Sequence, residues 1–503
     1  MRSELHVLLG TETSIPTWRP ADLGNKVRPH EIVDEIIEDV TSKVYPRSVR
    51  GYFSKWRVAM VFITQIIFYG FPWMTWNGRQ AVLFDLAARK FYIFGMVLWP
   101  QDVIYLTLLL IISALGLFLF TAIAGRLFCG YACPQTVYTE IFMWIEKRIE
   151  GDRVARLRLD ASPMSWKKLR LKGTKHFFWV ILAVWTGFTF VGYFSSIRGL
   201  GAEVVALTLG PWQWFWLAFY SFATWGNAGF MREQVCRYMC PYARFQSVMV
   251  DKDTLVVTYD YNRGEPRGGR SVKIDYQSAG LGACVDCSIC VQVCPTGIDI
   301  RKGMQYMCIG CGACVDACNT VMDKVGYERG LIRYTSERGI LEKLSIEKVR
   351  RSLYRPRVLI YSFLMLVLVS AFFGSLSIRS TLSVDVMRDR GLLGRVVAGD
   401  QIENIYSLQF INKTESPITV SLGVEGFPGA HVILSGQSGN QENSSELVIA
   451  GASNRLVPVV VRAPANSAQP GSHPIKFVTR QVDLESASDK QIIEASSFYV
   501  PKQ

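Results

Sequence analysis

The sequence predicts a multi-domain membrane protein: an α-helical transmembrane bundle of about five spans, a cysteine-rich α+β domain, and a C-terminal all-β sandwich of immunoglobulin-like type. Three observations predict it. Five stretches lack charge and are long enough to cross a bilayer, all twelve cysteines fall between Cys129 and Cys318, and from about Thr381 onward apolar residues alternate with period two. Half of the 503 residues are hydrophobic, which places the chain beyond a single soluble domain.

The first fifty residues are polar and broken by Pro16, Pro20, Pro29 and Pro46, so no signal peptide is expected and the N-terminus is expected to stay in the cytoplasm. The spans are expected at Val58–Trp76, Val103–Ala124, Phe177–Ile197, Trp212–Phe230 and Val358–Ile378. The fourth, rich in Trp and preceded by Gly210-Pro211, also reads as a buried or interfacial helix. Basic residues crowd the link between the second and third spans (Lys147, Arg148, Arg153, Arg156, Arg158, Lys167, Lys168, Arg170, Lys172, Lys175) and the approach to the fifth (Arg350, Arg351, Arg355, Arg357). By the positive-inside rule both links are cytoplasmic, the cysteine-rich segment lies with them, and the C-terminal residues lie outside. The loop with Arg79, Arg89 and Lys90 against Asp85 is the exception. This orientation accounts for much of the formal charge of +13 without any role for nucleic acid.

The expected organisation is a cytoplasmic segment (1–57), a four-span region (58–250), a cytoplasmic cysteine-rich domain (251–350), a fifth span (351–380) and an external sandwich (381–503). In the sandwich, Tyr406, Leu408 and Phe410, then Ile418, Val420 and Leu422, then Val457, Val459 and Val461 alternate between turn-forming residues. It lacks the cysteine pair of antibody domains.

The strongest motif is double. Cys284, Cys287, Cys290 and Cys294, then Cys308, Cys311, Cys314 and Cys318, each follow the C-x2-C-x2-C-x3-C spacing of bacterial two-cluster ferredoxins. Three closely spaced thiolates wrap one cubane and the fourth crosses to its neighbour. The assignment is therefore Cys284, Cys287, Cys290 and Cys318 to one [4Fe–4S] cluster, and Cys308, Cys311, Cys314 and Cys294 to the other. Gly310, Gly312 and Ala313 let backbone amides approach the sulfurs. Structural zinc is the competing reading of C-x2-C, but eight cysteines in two copies of this spacing favour clusters. Asn319 stands where a proline usually follows the last cysteine.

Two further pairs match each other: Cys129-Gly-Tyr131-Ala-Cys133-Pro134 after the second span and Cys236-Arg-Tyr238-Met-Cys240-Pro241 after the fourth. The membrane region thus reads as a twofold repeat of hairpin plus C-x-Y-x-C-P, with all four sulfurs at the cytoplasmic surface. Proline starts a helix well, so Cys133 and Cys240 are expected at helix N-termini, where thiolate is favoured over thiol. Three readings stay open: a redox or soft-metal site, an extra cluster or zinc site, and buried packing cysteines.

The five histidines stand at 6, 30, 176, 431 and 473, and only His176 is near a span, so a haem between two membrane histidines has no ligand pair in this chain. Trp73, Trp76, Trp185, Trp212, Trp214, Trp216 and Trp225 read better as an interfacial belt plus packing than as a quinone site.

Taken together the residues resemble one family, the cytochrome c oxidase accessory proteins known as CcoG, FixG or RdxA. The resemblance rests on Tyr45-Pro-Arg47, Trp76 through Phe84, Cys129 through Gln135, Tyr238 through Ser247 and the double cysteine run. It implies a membrane-bound polyferredoxin of the bacterial inner membrane that acts in assembly of a cbb3-type haem–copper oxidase, with reduction of Cu(II) to Cu(I) as its activity. The oxidase subunits or other assembly factors, membrane lipid, copper and a cytoplasmic electron donor would be its partners. Carried over residue by residue, the resemblance makes Cys129, Cys133, Cys236 and Cys240 the copper-handling thiols. Two other readings keep the clusters: an electron relay from quinol similar to NapH and NosR without copper, and an assembly scaffold in which the clusters are regulatory.

Overall fold

The computed structural model describes residues 43–271, 276–278, 280–351, 354–389, 394–397, 399–434, 446–482 and 491–501. The proline-broken N-terminal segment, with His6 and His30, lies outside the described residues, as do the side chains of Arg350 and Arg351. The chain forms two compact units, one from residues 1–64, 115–183 and 221–363, the other from 65–114, 184–220 and 364–503.

The long helices are α1 (Tyr52–Gly70), α2 (Val103–Ala124), α3 (Pro134–Glu150), α4 (Trp166–Val191), α5 (Pro211–Gly226), α6 (Pro241–Met249), α7 (Ala313–Val325) and α8 (Pro356–Ile378). Among the described residues three helical stretches are long and apolar enough to cross a membrane: residues 100–124, α4 and α8. Their outward faces are lined with exposed Leu, Ile and Phe, which only a lipid-like solvent tolerates in such numbers.

The expected spans need correction at their ends. The first helix starts at Tyr52 and stops at Gly70, so Trp76 is not in it: Phe71–Trp73 form a 3-10 turn and Thr75–Trp76 pair with Arg79–Gln80 as a hairpin. Asn77 and Gly78 take the positive φ values that such a two-residue turn demands. The helix of the third expected span, α4, ends at Val191 and a separate helix begins at Ile197, where the Gln80 side chain accepts from the Ile197 amide at 2.9 Å. The fourth is not buried, since Trp212, Phe215, Phe219 and Phe222 are all exposed, and it runs on through a π turn at Asn227–Met231. The loop after the first helix also holds a three-stranded sheet, Val82–Asp85, Lys90–Ile93 and Met96–Leu98.

The C-terminal residues form the expected sandwich. One sheet contains Leu382–Arg388, Arg395–Val397, Gln401–Asn412, His431–Leu434 and Asn454–Pro464, and the other Ile418–Glu425, Glu446–Ile449, Gly471–Gln481 and Gln491–Val500. Tyr406 opposes Val459 and Leu408 opposes Val457 across antiparallel strands, so the alternating residues share the inner face. Tyr406, Leu408, Phe410, Val420, Val459 and Val461 are fully buried there. Each such side chain contributes about 1.5–3 kcal/mol of transfer free energy.

In the other unit the junction of α3 and α4 is fastened by charge. Glu146, with a fully buried side chain, meets Arg156 and Arg232 at 3.0 Å each and Lys175 at 3.5 Å. Glu150 adds Lys175 at 2.9 Å and Lys172 at 3.1 Å. Much of the basic crowding between the second and third expected spans is therefore internal structure as well as a topology signal. Removing the Glu146 charge leaves buried cations uncompensated, so Glu146→Gln is expected to cost about 3–5 kcal/mol. The detergent-solubilised variant should unfold at clearly lower temperature than Lys167→Gln, which lies on the exposed start of α4.

Candidate metal centres

The double cysteine run is organised on a two-stranded antiparallel ribbon, Val256–Tyr259 with Ile332–Thr335. Each cysteine triplet ends in a helix, Ile289–Gln292 after the first and α7 after the second, and these pack on the ribbon through Val257, Val315, Met322 and Ile332. The two loops are built alike. Gly310 and Gly312 have φ of +64° and +73°, and Asp286 and Ser288, at the same offsets in the first loop, have +49° and +54°. The left-handed turns aim backbone amides inward, and the Gly310 amide donates to Cys308 Sγ at 3.4 Å. Gly312 is also required for space, since a Cβ there would lie 2.6 Å from the Phe53 ring.

The sulfurs of the two runs lie among one another. Burial pushes the Cys318 thiol up to about 12, and its cysteine neighbours are Cys290, Cys284 and Cys287. Burial likewise pushes Cys308 up to about 12, with Cys311 and Cys294 as neighbours. Cys314 is raised well above the ordinary range by burial and by Cys311, Cys308 and Cys294, with Cys290 next. Cys290, Cys294, Cys308, Cys311 and Cys314 line one cavity whose other walls include Val257, Ile298 and Ile300. Sulfurs crowded into so apolar a pocket are costly as bare thiolates, and iron bound among them supplies the compensating positive charge. The residues therefore fit the iron–sulfur group. Among the described residues no three His, Cys, Asp or Glu side chains close on a single ion.

Asn319 resolves the departure from the ferredoxin pattern. Where Pro295 ends the first short helix, Asn319 lets α7 continue to Val325, and its side chain accepts from the Gly330 amide at 3.0 Å.

The other four cysteines are brought together. Cys129 lies in the short helix Leu127–Tyr131, Cys236 in a π turn at Val235–Met239, and Cys133 and Cys240 are the N-caps of α3 and α6, each followed by proline. Cys236 interacts electrostatically with Cys133, Cys129 and Cys240, and Cys129 with Cys133 and Cys240. At Cys133 the expectation of a thiolate at a helix N-terminus meets an opposing effect. Burial raises Cys133 even though the amides of Gln135 and Thr136 pull the other way. Burial pushes Cys129 up to about 11 and Cys236 up to about 12. The fully buried Gln246 faces this group, its Oε1 accepting from Cys129 Sγ at 3.5 Å.

Sequence reasoning missed the contact between the two cysteine systems. A Cβ on Gly130 would lie 2.7 Å from the Ile309 carbonyl oxygen and 3.0 Å from Cys311 Cα. Tyr131 donates to the Cys311 carbonyl at 3.2 Å, and Cys129 packs against Ile309 and Cys311. The glycine inside Cys129-Gly-Tyr is the one sequence signal for it, since only that residue permits so close a backbone approach. The start of α1 is tied to the same structure, because Asp316 of α7 accepts from the amides of Ser54 at 2.8 Å and Phe53 at 3.3 Å.

Three family models match the chain: a "4Fe-4S dicluster domain" over residues 231–337, a "4Fe-4S binding domain" over 106–151, and an "IG-like fold at C-terminal of FixG" over 372–501. The nitrogen fixation protein FixG of Rhizobium meliloti is 38% identical over 427 residues, 79% of this chain and 82% of that protein. Protein RdxA of Cereibacter sphaeroides is 36% identical over 441 residues, covering 84% and 90%. Protein RdxB of the same organism is 38% identical over 409 residues, covering 78% and 86%.

Two outcomes are expected. In metal-free protein, alkylation of Cys129 and Cys236 should be slow at pH 7 and climb steeply toward pH 11–12; free-cysteine rates at pH 7 would contradict the burial argument. Gly130→Val should wedge the Cys308–Cys314 loop away and lower the iron retained after dilution, whereas Gly173→Ala, with open space around it, should retain the full complement.

Proposed function

Because the chain belongs to the FixG family, we propose that it is a membrane-anchored electron-transfer protein acting in assembly of a cbb3-type cytochrome c oxidase, and that its reaction is one-electron reduction of Cu(II) to Cu(I) for the oxidase copper centre. Cys284, Cys287, Cys290 and Cys318 would hold one [4Fe–4S] cluster and Cys308, Cys311, Cys314 and Cys294 the other. When bound, the clusters supply low-potential electrons one at a time, one for each Cu(II) reduced. Cys129, Cys133, Cys236 and Cys240 take the substrate copper, since soft thiolates select Cu(I) over harder ions.

The observation that carries this reading is the van der Waals contact between Cys129-Gly130-Tyr131 and the Ile309–Cys311 loop. That contact supports the reading because Cys129, one of the thiols that would receive copper, lies beside the loop of residues that would hold one cluster. Positive-inside counting supports an N-terminus and ferredoxin-like domain in the cytoplasm and a sandwich in the periplasm of the bacterial inner membrane. Five spans follow if α1, and α5 with its π-turn extension, join the three longest apolar helical stretches.

A second reading has its own support. The match to a 4Fe-4S binding domain over 106–151 includes Cys129 and Cys133 and none of the eight ferredoxin cysteines. The four membrane-face thiols would then hold a further cluster, and the protein would be a relay.

Metal analysis and copper titration separate the two. Anaerobically purified protein should hold about eight iron, against about twelve for a third cluster. In dithionite-reduced protein Cu(II) should reoxidise the clusters stoichiometrically, and Cys236→Ala should lose this while keeping its iron. Reoxidation at the parent rate in Cys236→Ala would exclude the thiols as the copper site.

A further inference from the structure

A cavity of about 880 Å³ opens in the unit that contains the sandwich, and the proposed electron transfer makes no use of it. Its walls come from the Thr75–Gln80 hairpin, the three-stranded sheet, the end of α8 and the sandwich loop at Lys413–Ser416. It lies where two apolar helices terminate: Asp102 immediately precedes α2 and Arg379 immediately follows α8, and Arg379 Nη2 meets Asp102 Oδ2 at 2.5 Å. One turn further in, Tyr105 donates to the Ser375 carbonyl at 3.2 Å. The cavity is therefore at the membrane–water boundary, and Trp76 and Tyr92 in its wall are the aromatic types enriched at that level.

The charge around it does not balance. Arg79, Arg379 and Lys413 line the cavity with Glu415, and behind them stands Asp102, which also takes Lys413 Nζ at 3.1 Å. Arg79 pairs with Glu415. Two cations thus share the single carboxylate of Asp102. Lys90 adds a further cation, its Nζ donating to the carbonyl of the lining residue Ala452 at 2.8 Å. Arg379 and Lys413 have side chains only 11% and 10% exposed, and Arg379 Nε is buried without a hydrogen-bond partner. Lys413 Nζ, with three donors, has Asp102 as its hydrogen-bond partner in the structure. Buried cations in excess of their carboxylates call for an anion.

We propose that this cavity binds the headgroup of an anionic phospholipid. The phosphodiester accepts from Lys413 Nζ beside the Arg379 guanidinium, and the acyl chains run along the exposed Phe373 and Ile378 of α8. An anionic headgroup offsets excess positive charge, and an amphiphile matches a cationic cavity at the end of a lipid-facing helix. The site joins last span, hairpin and sandwich through a bound lipid, independently of the clusters.

Delipidated full-length protein in neutral detergent tests this by thermal unfolding and native mass spectrometry, with phosphatidylglycerol, phosphatidylcholine or inorganic phosphate added. Phosphatidylglycerol should raise the unfolding temperature and survive as a retained adduct, phosphatidylcholine should do neither, and iron content should not change. Lys413→Gln should bind phosphatidylglycerol about tenfold more weakly and Lys413→Arg should retain it. If Lys413→Gln does not fold, Ser380→Glu, which puts a carboxylate on the exposed rim and leaves the Asp102 pairs intact, should show the same loss. Equal effects of the two lipids, an unchanged preference in the folded variants, or full reproduction of the effect by inorganic phosphate would overturn the assignment.

Discussion

Sulfur charge in an apolar pocket is the constraint on which the rest of this structure depends. Cysteine thiols are driven together by the two loop–helix halves until Cys308, Cys311 and Cys314 see Cys294, and Cys318 sees Cys284, Cys287 and Cys290. Burial alone would keep those sulfurs protonated, so their use as ligands requires positive metal among them. The left-handed turns at Asp286, Ser288, Gly310 and Gly312 are the backbone cost of that arrangement. They are held by packing on the Val256–Tyr259 ribbon and, at Gly312, by the ring of Phe53.

The same small residues link this centre to the rest of its unit. Gly130 lets the Cys129 motif lie against Ile309 and Cys311, and Asp316, one residue pair before Cys318, fastens the start of α1. The cluster loop is thus in contact with the Cys129 motif, and α7 with the helix that opens the membrane region. The second thiol pair is set differently, on a strand of π turns around Arg232, whose φ of +37° is held by its buried pairing with Glu146. The twofold repeat seen in the motifs is therefore approximate in the backbone.

What was legible in the chain were patterns whose physics is local or periodic. Eight cysteines at ferredoxin spacing point to a 4Fe-4S dicluster domain, because three ligands within seven residues have few ways to surround one object. The alternation at Tyr406, Leu408 and Phe410 predicts the inner face of the sandwich. Lost were features decided by residues far apart. The first helix stops at Gly70 although the apolar run continues, because Phe71 through Gln80 find a turn and a hairpin instead. The sheet at Val82–Leu98 hides in a short charged loop, and the Gly130–Ile309 contact joins residues about 180 positions apart. Helix N-termini were legible at Pro134 and Pro241, but the effect on Cys133 was not, since burial outweighs the amides there.

The central claim is that all eight sulfurs between Cys284 and Cys318 serve two iron cubanes set side by side. Mössbauer spectroscopy of iron-57-enriched, anaerobically purified chain, combined with EPR after dithionite reduction, tests it most directly. The account predicts that essentially all iron resides in [4Fe–4S] centres and that the reduced protein gives the broadened signal of two magnetically interacting clusters. A colourless protein whose metal is zinc, or a single isolated cluster signal at full iron loading, would contradict it.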